Sequence, residues 1–131
     1  MTTVYGEPQG KARPRFSTRN GYVQTYTASK TKSYENQIAE AYKGKIYDGY
    51  ISIDIKAYFG IPKSATKKNR LAMLQNEIKP SKKPDADNIA KIVLDALNGI
   101  AYIDDKQVIC LKVEKEYSET PRIEFEIKEL K

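Results

Sequence analysis

The stretch GYISIDIKAYF, residues 49–59, alternates apolar and polar side chains from residue 51 onward. Successive side chains of an extended chain point to opposite faces, so one face receives Ile51, Ile53, Ile55 and Ala57. Serine, aspartate and lysine lie between them and fall on the other face. The pattern predicts a β-strand with one buried face.

Helical patterns lie on both sides of this strand. Residues 28–43, 64–78 and 85–97 carry apolar side chains at helical spacing. A glycine or a proline follows each segment within two residues, which is typical of a helix end. Ser64 is expected to cap the second of these helices.

Further strands are predicted near both ends of the chain. The alternating or β-branched segments are residues 2–6, 21–27, 109–113 and 123–127. Residues 6–21, rich in Gly, Pro and Asn, are expected to form an irregular loop. We therefore expect one α+β domain spanning residues 1–131, with a mixed sheet and helices packed mainly on one face.

The composition excludes several chemistries. The 131 residues include no histidine and a single cysteine, Cys110. The missing histidine removes Ser-His and Cys-His nucleophile pairs and histidine-based nuclease mechanisms. Ordinary zinc sites also lack their ligands. Any hydrolysis must therefore use carboxylates, lysines and a hard metal ion.

The same sequence favours a reducing compartment. One cysteine cannot form an internal disulfide, and no apolar run approaches the roughly 20 residues that span a bilayer. The first ten residues lack the basic and apolar regions of a signal peptide. We expect a cytoplasmic protein without a membrane partner.

Charge is distributed in blocks along the chain, whose net charge is +6. Residues 1–34 carry six basic residues against one acidic residue, and residues 63–83 carry seven against one. Residues 84–131 carry eleven acidic residues against seven basic ones. Two basic blocks upstream of an acidic segment are expected of a protein that receives a polyanion, although basic runs also serve only to keep surfaces soluble.

Aspartates gather around the start of the predicted helix at residues 85–97. Asp87, Lys91 and Asp95 are spaced four residues apart and therefore follow one side of that helix. Asp85 precedes them, and the Asp104-Asp105 pair lies in the turn after the helix. Short oxygen ligands of this kind suit magnesium or manganese.

Simpler explanations exist for each acidic residue. An aspartate before a helix is commonly an N-cap, Asp87 and Lys91 could form an ordinary ion pair, and paired aspartates often occupy solvated turns. These explanations do not account for so many like charges around one helix start, which a cation would offset. An EF-hand is excluded because the sixth and twelfth positions counted from Asp85 are Ala90 and Ala96.

The segments KPDADNIAKIVLDALNG, residues 83–99, and YIDDKQV, residues 102–108, together resemble the signature of the RusA family of Holliday junction resolvases. Phages and prophages encode many members of that family. Upstream, GKARPRF at residues 10–16 resembles the basic, proline-containing loop of phage-type members. The resemblance implies a homodimeric, magnesium-dependent endonuclease that makes paired nicks in four-way DNA junctions during recombination and repair.

The resemblance also assigns roles to residues. The metal ligands of the family correspond to Asp85, Asp87 and Asp105, and its essential lysine corresponds to Lys91, so these four form the implied catalytic set. Supporting positions are Asn88, Asp95, Asp104 and Gln107. The implied cofactor is Mg²⁺, and Mn²⁺ is expected to substitute for it. The resemblance also implies that the protein acts in a bacterial or phage-infected cell.

The basic blocks are expected to bind the phosphates of branched DNA. The candidates for these contacts are Arg13, Arg15, Arg19, Lys67, Lys68, Lys82 and Lys83. Three alternatives remain open: a nuclease of broader range that cuts flaps or forks, a protein that binds junctions without cutting, and a phage structural protein whose aspartates only cap helices.

Overall fold

The computed structural model describes residues 1–11, 15–19, 22–26 and 29–130, with the backbone alone for the second and third ranges. The strands and helices, in chain order, are β1 (Thr2–Tyr5), β2 (Arg15–Arg19), β3 (Tyr22–Tyr26), α1 (Ser29–Ala41), β4 (Ile51–Gly60), α2 (Lys67–Leu74), α3 (Ala86–Leu97), β5 (Val108–Ser118) and β6 (Arg122–Glu129). A single 3₁₀ turn, Asp105–Gln107, precedes β5.

The main sheet has four strands in the order β1-β6-β4-β5. Strand β4 pairs parallel with β5 and antiparallel with β6, and β1 pairs antiparallel with β6. The parallel pair needs a long crossover, which α2 and α3 provide. The predicted α+β class and mixed sheet are confirmed.

The core lies between this sheet and two helices. The apolar residues predicted on one face of β4 are fully buried, and each of the three isoleucines contributes about 1.5–3 kcal/mol by leaving water. Tyr34 and Ile38 of α1 and the apolar stripe of α3 complete the same buried cluster. The opposite face of the sheet carries polar residues such as Asp54 and Lys56, both exposed. The apolar stripe of α3 therefore packs in the core, and the first turn of the helix lies at the surface.

Two local predictions were wrong. Helix α2 begins after Thr66, whose side chain accepts a hydrogen bond from the Asn69 backbone N–H at 3.1 Å, so Thr66 and not Ser64 is the cap. It ends at Leu74 and does not extend to Ile78, because Asn76 adopts a left-handed conformation with φ of 68°. Each residue of α2 remains at least partly exposed, so packing does not extend it.

The predicted loop at residues 6–21 also contains a strand. Residues 15–19 pair antiparallel with residues 22–26 to form a separate two-stranded sheet. The sequence between them is Asn20-Gly21, the dipeptide typical of two-residue hairpin turns. Within the described ranges, none of the helices has the length and apolar character needed to cross a membrane.

Candidate active site

The acidic site begins at the first turn of α3. Asp85 occupies the N-cap position with extended backbone angles, but its side chain forms no capping hydrogen bond with the described helix. By contrast, the side chain of Thr66 at the start of α2 accepts a capping hydrogen bond from the Asn69 backbone N–H. Asp85 and Asp87 are both exposed. Simple capping therefore does not explain the Asp85 carboxylate, which is available for another partner.

A cleft of about 720 Å³ opens beside these two aspartates. Its walls come from the segment before residue 12, from the start of α1 and from the first turn of α3. Asp85 and Asp87 share the cleft with the lysines Lys11, Lys30 and Lys83. Acidic and basic groups thus line one concave surface, where Lys30 and Lys83 can attract a phosphate that the carboxylates alone would repel.

The Asp104-Asp105 turn is held in place by its own hydrogen bonds. Asp104 accepts a hydrogen bond from the Lys106 backbone N–H at 3.0 Å and forms a capping box with Gln107. The Gln107 Oε1 accepts from the backbone N–H groups of Ile103 and Asp104 at 2.9 and 3.0 Å. Its Nε2 donates to two carbonyls in the loop before β4, those of Tyr47 and Gly49. These hydrogen bonds make the turn rigid. Within it, the side chain of Asp105 is exposed to solvent.

The two aspartates of the turn differ in acidity. Hydrogen bonds from the Lys106 backbone N–H and from Asp105 lower the pKa of Asp104. The hydrogen bond shared with Asp104, followed by burial and the negative charges of Asp104 and Asp95, raises the pKa of Asp105. Asp105 therefore experiences crowding by like charges, which a nearby cation would relieve.

The structure brings the predicted residues together only in part. Asp85 and Asp87 line one cleft, whereas Asp105 interacts with Asp104 and Asp95. Across the described residues, no three carboxylate or thiol groups lie close enough together to hold one metal ion. The oxygen-only donor set suits magnesium chemically, and a shared coordination sphere would require side-chain movement.

Lys91 and Asn88 extend the acidic site along α3. Lys91 lies one turn beyond Asp87 and is exposed, and it forms no ion pair with any side chain that the structure describes. The simpler explanation of Asp87 and Lys91 as an ordinary ion pair is therefore not supported. Asn88 lines the cleft, and its backbone carbonyl accepts a hydrogen bond from the Lys11 N–H at 3.0 Å.

The candidate DNA-binding residues lie in different places. Lys83 borders the cleft, while Lys82 has its ammonium 5.7 Å from the ring centres of two aromatic residues. Lys67 and Lys68 lie exposed at the start of α2. The remaining candidates lie outside the side chains that the structure describes, namely Arg13, Arg15 and Arg19.

Sequence reasoning missed the role of Lys11. Its ammonium lies 2.7 Å from Glu35 of α1 and 3.4 Å from Asp95 of α3. These three residues are far apart in the chain, and Lys11 belonged only to a basic block in the sequence. The spacing of charges carried no signal for this contact.

Comparisons with known proteins identify the family of the chain. The family described as "Endodeoxyribonuclease RusA" matches residues 5–128. The chain is also similar to the "Uncharacterized protein YqaN" of Bacillus subtilis (strain 168), with 42% identity over 134 residues, which covers 98% of this chain and 94% of the relative. The family match contains the cleft, the first turn of α3 and the Asp104-Asp105 turn. This chain belongs to the RusA family of endodeoxyribonucleases.

Proposed function

We propose that this protein is a Holliday junction resolvase, a magnesium-dependent endodeoxyribonuclease that makes paired nicks in four-way DNA junctions. The observation that carries the proposal is the carboxylate of Asp85, which lies at a helix start without a capping bond and shares a lysine-bordered cleft with Asp87. Membership of the RusA family supports DNA cleavage as the reaction.

The lysines of the cleft would bind the DNA backbone. Lys30 of α1 and Lys83 of the segment before α3 border the same cleft as the two aspartates. Contacts to phosphate oxygens position a duplex without reading its sequence, so recognition would depend on the shape of the junction. Branched DNA is therefore the substrate that we expect.

Asp85, Asp87 and Asp105 would hold the Mg²⁺ ion, and Mn²⁺ would serve in its place. When bound, the ion supplies Lewis acidity at the scissile phosphate and lowers the pKa of water. The residues themselves provide oxygen ligands, and the like-charge crowding at Asp105 favours cation binding.

Lys91 would act on the phosphate directly. Its ammonium is exposed one helical turn from Asp87. A cation at this position would stabilise the negative charge that grows on the phosphate in the transition state, or donate a proton to the leaving oxygen. Both roles need a charged lysine close to the scissile bond.

The reaction also requires a symmetric assembly. Two matched cuts in opposite strands need two active sites related by a two-fold axis. A homodimer supplies these sites, and the protein would act in the cytoplasm of a bacterial or phage-infected cell.

Replacement of Asp85 by asparagine tests the proposal. Asn is as good an N-cap as Asp, so Asp85→Asn should fold normally while losing a charged ligand. We expect cleavage of a synthetic four-way junction to fall by at least about a hundredfold. Calorimetric titration with magnesium should show weaker binding, which provides a readout independent of cleavage.

Asp54→Asn is the matched control. Asp54 is exposed on the opposite face of the sheet, so this variant loses the same charge away from the cleft. It should bind magnesium and cut junctions like the wild type. Near-wild-type cutting by Asp85→Asn would contradict the assignment. Comparable cutting of flaps, forks and junctions would indicate the broader nuclease, and binding without cutting would indicate a junction-binding protein.

A further inference from the structure

Lys11 forms an ion cluster that links two helices beside the cleft. Its ammonium lies 2.7 Å from Glu35 Oε1 and 3.4 Å from Asp95 Oδ2. The side chain of Lys11 is only 17% exposed and that of Glu35 only 13%. Burial alone would lower the pKa of Lys11, but the hydrogen bonds and charges of Glu35 and Asp95 raise it above the ordinary value of a lysine. The lysine is therefore charged and already bound by two carboxylates.

The backbone around Lys11 is also fixed. We call residues 6–11 the N-terminal arm. The Lys11 N–H donates to the Asn88 carbonyl at 3.0 Å, and at the other end of the arm the Gly6 N–H donates to the Pro121 carbonyl at 3.0 Å. Between these bonds, a Cβ atom on Gly10 would come within 2.7 Å of the Pro84 side chain. The arm therefore packs directly on the segment that carries the first aspartate of the site.

The contacts of Lys11 with Glu35 and Asp95 also affect the cleft. Lys11 is the last residue of the arm, and the basic segment with Arg13, Arg15 and Arg19 follows it at once. The same lysine lines the cleft that contains Asp85. The attachment of Lys11 thus fixes the arm, whose residues Pro8, Gln9 and Gly10 line the same cleft.

We propose that Lys11 is a positioning residue that anchors the N-terminal arm to α1 and α3 and so holds the arm as one wall of the cleft at which we expect DNA to bind. The inference rests on the proposed function. Lys11 itself is not assigned a phosphate contact, because Glu35 and Asp95 already occupy its ammonium. Ordering one wall of the cleft before DNA arrives lowers the entropy that binding must remove.

The sign of a mutation in Glu35 distinguishes positioning from direct phosphate binding. If Lys11 bound phosphate, removal of the Glu35 charge would free the lysine, reduce repulsion and tighten DNA binding. If Lys11 positions the arm, Glu35→Met and Lys11→Met should both weaken binding, by roughly fivefold for lost preorganisation. Affinity is measured by fluorescence anisotropy on a four-way junction with Ca²⁺ in place of Mg²⁺ to prevent cutting.

Matched variants control for charge and for helix position. Lys56→Met removes a lysine from the open face of the sheet, and Glu40→Met removes an exposed glutamate from α1. Lys56→Met should leave junction affinity unchanged, and Glu40→Met should not weaken it. Lys11→Arg retains the cation and should restore most of the affinity lost in Lys11→Met.

Hydrogen–deuterium exchange of the free protein tests the anchor without DNA. The peptide covering residues 6–11 should exchange faster in Lys11→Met and Glu35→Met, while the peptides of β4 keep the wild-type rate. Faster exchange with reduced affinity in both variants supports the proposal. Unchanged exchange, or tighter junction binding by Glu35→Met, overturns it.

A failure of the proposed function would look different. A wild-type protein that neither binds nor cuts junctions would contradict the resolvase assignment, and that result appears in the wild-type control alone. The wild type and Lys11→Met are also compared in single-turnover cutting at saturating protein. If the wild type is active and the cutting rate of Lys11→Met falls as much as its affinity does, Lys11 acts in the chemical step and the positioning role is wrong.

Discussion

At the scale of single residues, Gln107 forms four side-chain hydrogen bonds beside the candidate site. It accepts from two backbone N–H groups and donates to two carbonyls, and so joins the Asp104-Asp105 turn to the loop before β4. A side-chain amide suits this role because it has both donors and acceptors. Family resemblance marked Gln107 as a supporting residue, and these four bonds provide the physical reason.

Replacement of Gln107 by leucine should therefore destabilise the protein. Each hydrogen bond contributes about 0.5–1.5 kcal/mol net, and water replaces part of it at this half-exposed position, so we expect a loss of about 2 kcal/mol in the free energy of unfolding. Urea denaturation measures the loss. The control is Gln37→Leu on the exposed side of α1, which should change stability by less than about 0.5 kcal/mol. Equal stability of the two variants would contradict the bridging role.

At the scale of elements, α2 and α3 differ in what stabilises them. Helix α3 buries its apolar stripe, including Ile92 with no exposed surface, whereas Leu71 of α2 is 56% exposed. Ile92→Ala should cost about 2–5 kcal/mol, because it removes buried carbon and leaves a cavity, whereas Leu71→Ala should cost less than about 1 kcal/mol. Urea denaturation of both variants checks the contrast, and similar losses would indicate that α2 packs against a surface in solution.

The same contrast explains which elements the sequence predicted. Strand β4 and helix α3 each repeat apolar residues with one clear period, and burial enforces that period, so both predictions were confirmed. Helix α2 is not held by burial, and its ends depend on the choice between Ser64 and Thr66 as a cap. Periodicity cannot make that choice, since either side chain can cap a helix.

Strand β5 shows a second limit of sequence patterns. Ile109, Leu111 and Val113 alternate as a strand should, and Val113 packs against the core, but Ile109 is 60% exposed. The register between β4 and β5 shifts next to Ile51, so Ile109 has no partner in the ladder. Leu111 pairs in register with Ile53 and is still 41% exposed, so alternation in the sequence predicts the strand and does not predict how far its apolar side chains are covered.

At the scale of the whole molecule, the candidate site combines local and distant parts. Asp85 and Asp87 are neighbours in the chain, so their common position was predictable from the sequence. The cluster of Lys11, Glu35 and Asp95 joins three separate segments, and only the packing of α1 beside α3 brings them together. The sequence therefore predicts the acidic half of the site better than the contacts that surround it.

The distribution of charge over the molecule decides where DNA should bind. On the open face of the sheet, acidic and basic side chains neutralise one another, as in the ion pairs Lys112–Glu114 at 3.2 Å and Arg122–Glu124 at 2.7 Å. The cleft instead contains Lys83, which is exposed and forms no ion pair with any described side chain. A polyanion should therefore bind at the cleft and avoid the open face.

The salt dependence of junction affinity tests this orientation. Each phosphate contact that a lysine loses should reduce the slope of log affinity against log salt by about 0.9, because fewer counterions are released. Lys83→Gln should show that reduction, whereas Lys56→Gln on the open face should keep the wild-type slope. Anisotropy titrations between low and moderate salt measure both slopes. The opposite result would be a reduced slope for Lys56→Gln and an unchanged slope for Lys83→Gln. That result would place the DNA on the other face of the sheet, away from the aspartates. It would contradict both the cleft as the binding surface and cutting at Asp85.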